Sequence, residues 1–325
     1  MAPDIGKIEV QRLEHDPSWE DVSSQLLKRC NPRRLRTYRV DASLSASAIS
    51  HVIQLPWLES LLLVAVNSSL RFPIPLPNLV FPSLRTLHVD SDGDLAWLKL
   101  LPESPVLSEV YVKCTGRVGQ FMETFQLTTA GCGMRKRLRK FSLQGREGFT
   151  ITPQIIACNL LFENLTSLQL LSDCSTTCRT ENLTDEDIDL LTNAMPSLKI
   201  LAIGKQPCSV PSKITFKGLY TISRRCTQLE SLQIHFNPNS FVQKVADPAV
   251  GVFETPSSVL CSVTKIDVGG IAFPTSQSDL SSVCAFGLQG IFPRLKEVVY
   301  RDVGWKKVHL RLLWLRRVHG AFVKE

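Results

Sequence analysis

Histidine and cysteine are the side chains best suited to metal, nucleophilic or acid–base chemistry, and their spacing in this chain supports none of the three. The six histidines (His15, His51, His88, His235, His309 and His319) are scattered. No pair stands one helical turn apart, as a zinc-binding H-E-x-x-H helix requires. Nucleophile elbows, phosphate loops and dinucleotide fingerprints are also missing. Gly131-Cys132-Gly133 precedes basic residues but lacks the strand–loop–helix setting that cradles phosphate. Of ten cysteines, only Cys174 and Cys178 lie close together, with no second pair at zinc spacing. Cys30 and Cys226 each follow a helical segment just before an apolar strand, where a small buried thiol packs well. The expectation is therefore a chain with no catalytic residue, no cofactor and no metal.

Charge is the next candidate chemistry. The formal net charge of +7 is modest over 325 residues but unevenly placed. Lys28, Arg29, Arg33, Arg34, Arg36 and Arg39 form one cluster, and Arg135, Lys136, Arg137, Arg139 and Lys140 a second. A third lies near the C-terminus. Two such clusters on one side would attract an acidic partner or nucleic acid. Aromatic side chains that would stack bases are not interleaved with them, so nucleic acid is the lesser alternative.

The elements that carry these residues follow from a repeat. An apolar x-x apolar x apolar phrase recurs ten times, at Leu35, Leu58, Leu84, Leu107, Leu138, Leu165, Leu198, Leu229, Val263 and Leu295. Successive copies start 23 to 34 residues apart. Proline precedes many copies (Pro32, Pro56, Pro82, Pro105, Pro196, Pro293), stopping a helix and launching the chain extended. Helix starts stand upstream: Ser18 with Asp21, Thr152 with Pro153, Thr184 with Asp187, and Thr215. The unit is helix, stop, short strand. Such units cannot bury their apolar stripe alone and must stack.

The phrase resembles the L-x-x-L-x-L signature of leucine-rich repeats. Segment 214–234 is similar to the cysteine-containing repeats of F-box proteins. Segments 81–89 and 292–298 resemble the repeat region of fungal F-box-like proteins. The resemblance covers roughly residues 30–303. It implies an α/β solenoid of about ten repeats, with a curved parallel sheet on the concave side and helices on the convex side. It also implies protein recognition, as in substrate capture for a cullin-type ubiquitin ligase. Two departures stand out. The asparagine or cysteine expected after the third apolar position occurs only at Asn67 and Cys174, with near misses at Cys208 and Asn237. No F-box is read, because only 34 residues precede the first phrase, so a ligase adaptor would bind only if that module is supplied elsewhere.

On this reading residues 1–29 are a lead-in helix, 30–303 the solenoid and 304–325 a terminal cap. Side chains flanking the inward positions line the open face of the sheet. The partner-binding candidates are Arg39, Asp41, His88, Asp90, Glu109, Tyr111, Lys113, Gln144, Gln169, Gln233 and His235. A plainer apolar stretch, Leu171, Ile200, Ala202 and Gly204, is expected to be sterically open. Segment 237–260, with three prolines, reads as an insertion loop. In the C-terminal stretch Trp305, Val308, Leu312, Leu315, His319 and Phe322 share one helical face, suiting an end cap. A membrane-surface or partner helix, or a last strand over 308–312, are the alternatives. No apolar run approaches the ~20 residues of a membrane span. No charged-apolar leader opens the chain, which places it in cytoplasm or nucleus with reduced thiols. The function expected is non-enzymatic recognition of a protein, and the alternative is a basic scaffold for nucleic acid or an acidic complex.

Overall fold

The computed structural model describes residues 6–10, 18–31, 33–43, 46–65, 81–91, 104–115, 118–130, 133–145, 151–172, 183–204, 212–241, 261–269, 273 and 280–322. They belong to two compact units, residues 1–147 with 161–165, and residues 148–160 with 166–325.

The first unit holds six parallel strands in chain order: β1 (Lys7–Val10), β2 (Thr37–Ser43), β3 (Ser60–Ala65), β4 (Thr86–Ser91), β5 (Glu109–Cys114) and β6 (Lys140–Gly145). Its helices are α1 (Ser18–Arg29), α2 (Ala46–Val52), α3 (Val118–Ala130) and the single turn α4 (Met134–Arg137). Parallel strands paired in chain order share one covered face. The burial pattern agrees. Leu61, Leu63, Leu87, Val89, Val110 and Val112 are at most 3% exposed, whereas the residues between them face outward. Beneath β6, Phe125 packs against Phe121, Phe141 and Phe162 at ring separations of 5.7, 5.1 and 5.6 Å.

The second unit repeats the plan with α5 (Pro153–Asn159), β7 (Ser167–Ser172), α6 (Asp185–Ala194), β8 (Ile200–Ile203), α7 (Phe216–Arg225), β9 (Ser231–Ile234), β10 (Lys265–Gly269), α8 (Leu280–Ile291), β11 (Glu297–Tyr300) and α9 (Val303–Phe322). Its five strands also pair in parallel and in chain order. Leu168, Leu170, Leu201, Ile203, Leu232 and Ile234 are fully buried. The chain is thus an α/β protein built as a leucine-rich-repeat solenoid, and the recurring apolar phrase is its inward face.

Helix starts follow their sequence signals. Thr152 accepts from the Ile155 N–H at 3.4 Å ahead of Pro153. The Asp187 carboxylate accepts from both the N–H and hydroxyl of Thr184, at 2.9 and 3.0 Å. One contact was not legible. Asp185, in the first turn of α6, also caps the following helix. It accepts from the Thr215 N–H (2.8 Å), the Thr215 hydroxyl (2.6 Å) and the Gly218 N–H (3.0 Å). A Cβ at position 218 would stand 2.5 Å from the same carboxylate, so any larger residue must displace the cap.

Repeats are also tied at their turns. At the strand entrances each backbone N–H reaches back to the preceding repeat: Glu59 to Arg36, Arg85 to Glu59, Arg139 to Ser108, Lys199 to Thr166, Glu230 to Lys199 and Lys296 to Thr264, all within 2.9 Å. Two thiols ahead of strands also link repeats, Cys226 at the end of α7 and Cys261 before β10. Cys226 donates to the Met195 carbonyl and Cys261 to the Cys226 carbonyl, each at 3.6 Å.

Two terminal features differ from or settle the reading above. Lys7–Val10 is a strand inside the segment expected to be a helical lead-in, and the Gly6 carbonyl receives the Arg36 N–H at 2.8 Å. With Ile8 its described core-facing residue, it offers too little periodicity to detect. At the other end, 303–322 is helix rather than strand. Trp305, Val308, Leu312 and Leu315 are buried, and α9 packs on α8 and β11. His309 accepts the Val298 N–H at 3.4 Å, so the last strand does not end on a bare edge.

Candidate functional site

The outward residues of the first unit fall into three rows across the strands. Thr37, Ser60, Thr86, Glu109 and Lys140 are in register, as are Arg39, Leu62, His88, Tyr111 and Ser142. The third row is Val64, Asp90, Lys113 and Gln144. Here the structure joins four predicted residues and two that the prediction left out into one chain of contacts.

Arg39 begins it. Strands lie about 4.8 Å apart, so a side chain on β2 must cross β3 to touch β4. Arg39 does so, donating to the Ser60 hydroxyl at 3.0 Å and to His88 Nε2 at 2.9 Å. Arginine only donates, so His88 Nε2 accepts and the ring is neutral with its proton on Nδ1. Burial, with the Arg39 charge second, pushes the His88 pKa down to about 4, against a smaller opposing effect of Glu109. The imidazole stacks on Tyr111 at 4.5 Å and 8°. The phenol donates to Glu109 Oε2 at 3.2 Å, and burial followed by the Glu109 charge raises its pKa. Lys140 closes the chain on Glu109 Oε1 at 2.8 Å, and that hydrogen bond raises the ammonium pKa.

The imidazole's basic nitrogen is occupied by Arg39, and the phenol is held neutral. What remains is a row of side chains whose rotamers are fixed before any partner arrives, with a stacked aromatic pair at its centre. Fixing them beforehand lowers the ordering cost of association, and aromatic and arginine side chains are the usual anchors of interfaces. Asp41 and Lys113 are exposed beside the row, and Asp90 and Gln144 are half-buried.

The second unit's candidates make contacts of their own. Gln169 donates to Ser167 at 3.5 Å and Gln233 to the Gly204 carbonyl at 2.7 Å. His235 must be corrected. It is 2% exposed, because β9 ends at Ile234 and the chain turns inward with His235 and Phe236. Among the described residues its ring nitrogens have no hydrogen-bond partner, and burial lowers its pKa. The expected open apolar stretch is also revised. Ile200 is exposed and Leu171 half-buried, but Ala202 and Gly204 are buried, with Gly204 at φ 85°.

The two residues the prediction omitted from the row had a readable signal. Lys140 occupies the row of Glu109 on the adjacent strand, as a cross-strand ion pair requires. Ser60 lies in the same row. A second cluster had no such signal. At the strand entrances Arg36 lies 4.9 Å over the Trp57 ring and 3.4 Å from Glu59, beside a cavity of about 200 Å³ that Arg85 and Val106 also line.

Members of the second basic cluster are engaged by local contacts. Arg137 donates to the Ser104 carbonyl, Arg139 to the Asn164 carbonyl, and Lys140 pairs with Glu109. Among the described residues no group of three or more His, Cys, Asp or Glu side chains could hold a metal ion. Cys174, Cys178, Gly131, Cys132, Asn67, Cys208 and segment 242–260 lie outside the described residues. No described helix is long and apolar enough to cross a membrane.

No protein-family profile and no curated protein matches the sequence. Among solved structures the chain is similar to the crystal structure of the Rad7 and Elc1 complex in yeast. The identity is 15%, the match covers 89% of this chain and 84% of that one, and the TM-score is 0.30.

Proposed function

We propose that the chain is a non-enzymatic recognition module that holds a protein partner against the open sheet face of its first unit. The observation that carries this reading is the Arg39–His88–Tyr111–Glu109–Lys140 row, ordered by its own contacts yet accessible along one side. The resemblance of its repeats to those of F-box-like proteins suggests a finer version, in which the partner is a ubiquitin-ligase substrate. An adaptor would then join only through an F-box supplied elsewhere. The six described cysteines are all buried, and the setting this reading implies is the cytoplasm or nucleus.

The test is an affinity pull-down with quantitative mass spectrometry, comparing wild type with His88→Ala/Tyr111→Ala. A protein recovered by wild type and reduced at least about tenfold by the double variant is the expected result. Recovery of cullin-ligase adaptors alongside it would support the finer version. Equal recovery by both forms would remove this row from the interface. Salt-sensitive nucleic acid as the sole recovered species would favour the basic-scaffold reading instead, although the pairing of Lys140 with Glu109 weighs against it.

A further inference from the structure

The end-cap role uses only one face of α9. The twenty residues of this helix contain no carboxylate. On its outer side Val303 is 76% exposed, Leu310 54% and Trp314 59%. A lone exposed leucine means little. At about 100° per residue, however, positions 303, 310 and 314 form one narrow stripe along the helix. Exposed Lys306 and Arg317 border that stripe on one side, and exposed Lys307 and Arg311 on the other.

We propose that this outer face is a reversible docking surface for an anionic lipid bilayer. The geometry favours lipid over the other acidic partners. A partner helix seated on the stripe would cover Lys306 and Arg317 and strip their water, at a cost that only well-placed carboxylates would offset. At a headgroup surface the same side chains extend their stems along the acyl boundary and leave their charges in the phosphate layer. Tryptophan is suited to that boundary, with its ring in the apolar zone and its N–H among headgroups. Duplex nucleic acid would use the cations and leave the apolar stripe unused. The helix lies on the surface and does not span it, because its inner face is committed to α8 and β11.

The test uses the full chain and vesicles of phosphatidylcholine, with or without about 30 mol% phosphatidylserine, at about 0.1 M salt. Co-sedimentation with the serine-containing vesicles alone is expected, with a blue shift of tryptophan emission that Trp314→Phe removes. Leu310→Ala/Trp314→Ala should weaken partition about tenfold. Replacing Lys306, Lys307, Arg311 and Arg317 by glutamine should weaken it at least as much. All six positions are exposed, and unchanged far-ultraviolet circular dichroism and Tm would show the variants folded. Absence of partition, or partition indifferent to Leu310 and Trp314, would overturn the proposal. So would preferential binding of a duplex oligonucleotide that ignores those two residues. The binding row lies in the other unit, so its failure and this one are distinguishable.

Discussion

His88 is where residue chemistry and stability meet. In the folded chain the imidazole titrates at about 4, and in the unfolded chain near 6.5. Between those values the unfolded chain carries a proton that the fold refuses, so stability falls as pH drops from 6.5 to 4 and levels off below. Thermal melts at pH 7, 5.5 and 4.5 should show a smaller acid loss for His88→Gln than for wild type. His235 contributes with the same sign and remains in both proteins. A loss identical in the two would mean that burial and the Arg39 charge do not hold His88 neutral. Much of this site was legible from strand alternation alone, which placed Arg39, His88, Glu109 and Tyr111 on one face. The reach of Arg39 across β3 was not, because it depends on rotamers and on a small Ser60. His235 was misjudged because alternation holds only while the strand lasts.

At the scale of the element, capping decides how repeats join. Asp185→Ala removes three hydrogen bonds from the start of α7 and should cost about 2 kcal/mol in denaturant melts. Gly218→Ala presses a methyl group on the same carboxylate and should cost a similar amount. The double variant should lose less than the sum, since both changes act on one cap. Leu168→Ala and Leu201→Ala should each cost about 2–5 kcal/mol, because both side chains are fully buried. A cost under about 0.5 kcal/mol would contradict the inward assignment of the apolar phrase. Helix starts were readable because a threonine followed by proline or aspartate has a local mechanism. β1 was not readable, because a four-residue strand presents hardly one period of any pattern, and its pairing with β2 is a tertiary event.

For the whole molecule, the buried thiols report how the chain opens. Burial pushes the pKa of Cys226 and of Cys284 up to about 12 and raises that of Cys261, so little thiolate exists near neutral pH. Iodoacetamide should leave all three unmodified in the native protein. Along a denaturant gradient the three should label together, because one compact unit contains them. Staggered midpoints would instead show repeats fraying one at a time, as a one-dimensional stack permits. The stack itself was legible because its period recurs ten times, so that errors in single copies cancel. The bonds at the strand entrances have a further meaning. Each of those amides points to a carbonyl in the repeat before it, and the start of α7 looks back to Asp185 in the same way. A chain leaving the ribosome amino end first therefore finds the acceptors of these strand-entrance amides already made. Cotranslational growth can then proceed like a zipper, and a circular permutant that separates a repeat from its predecessor should refold more slowly than the natural order.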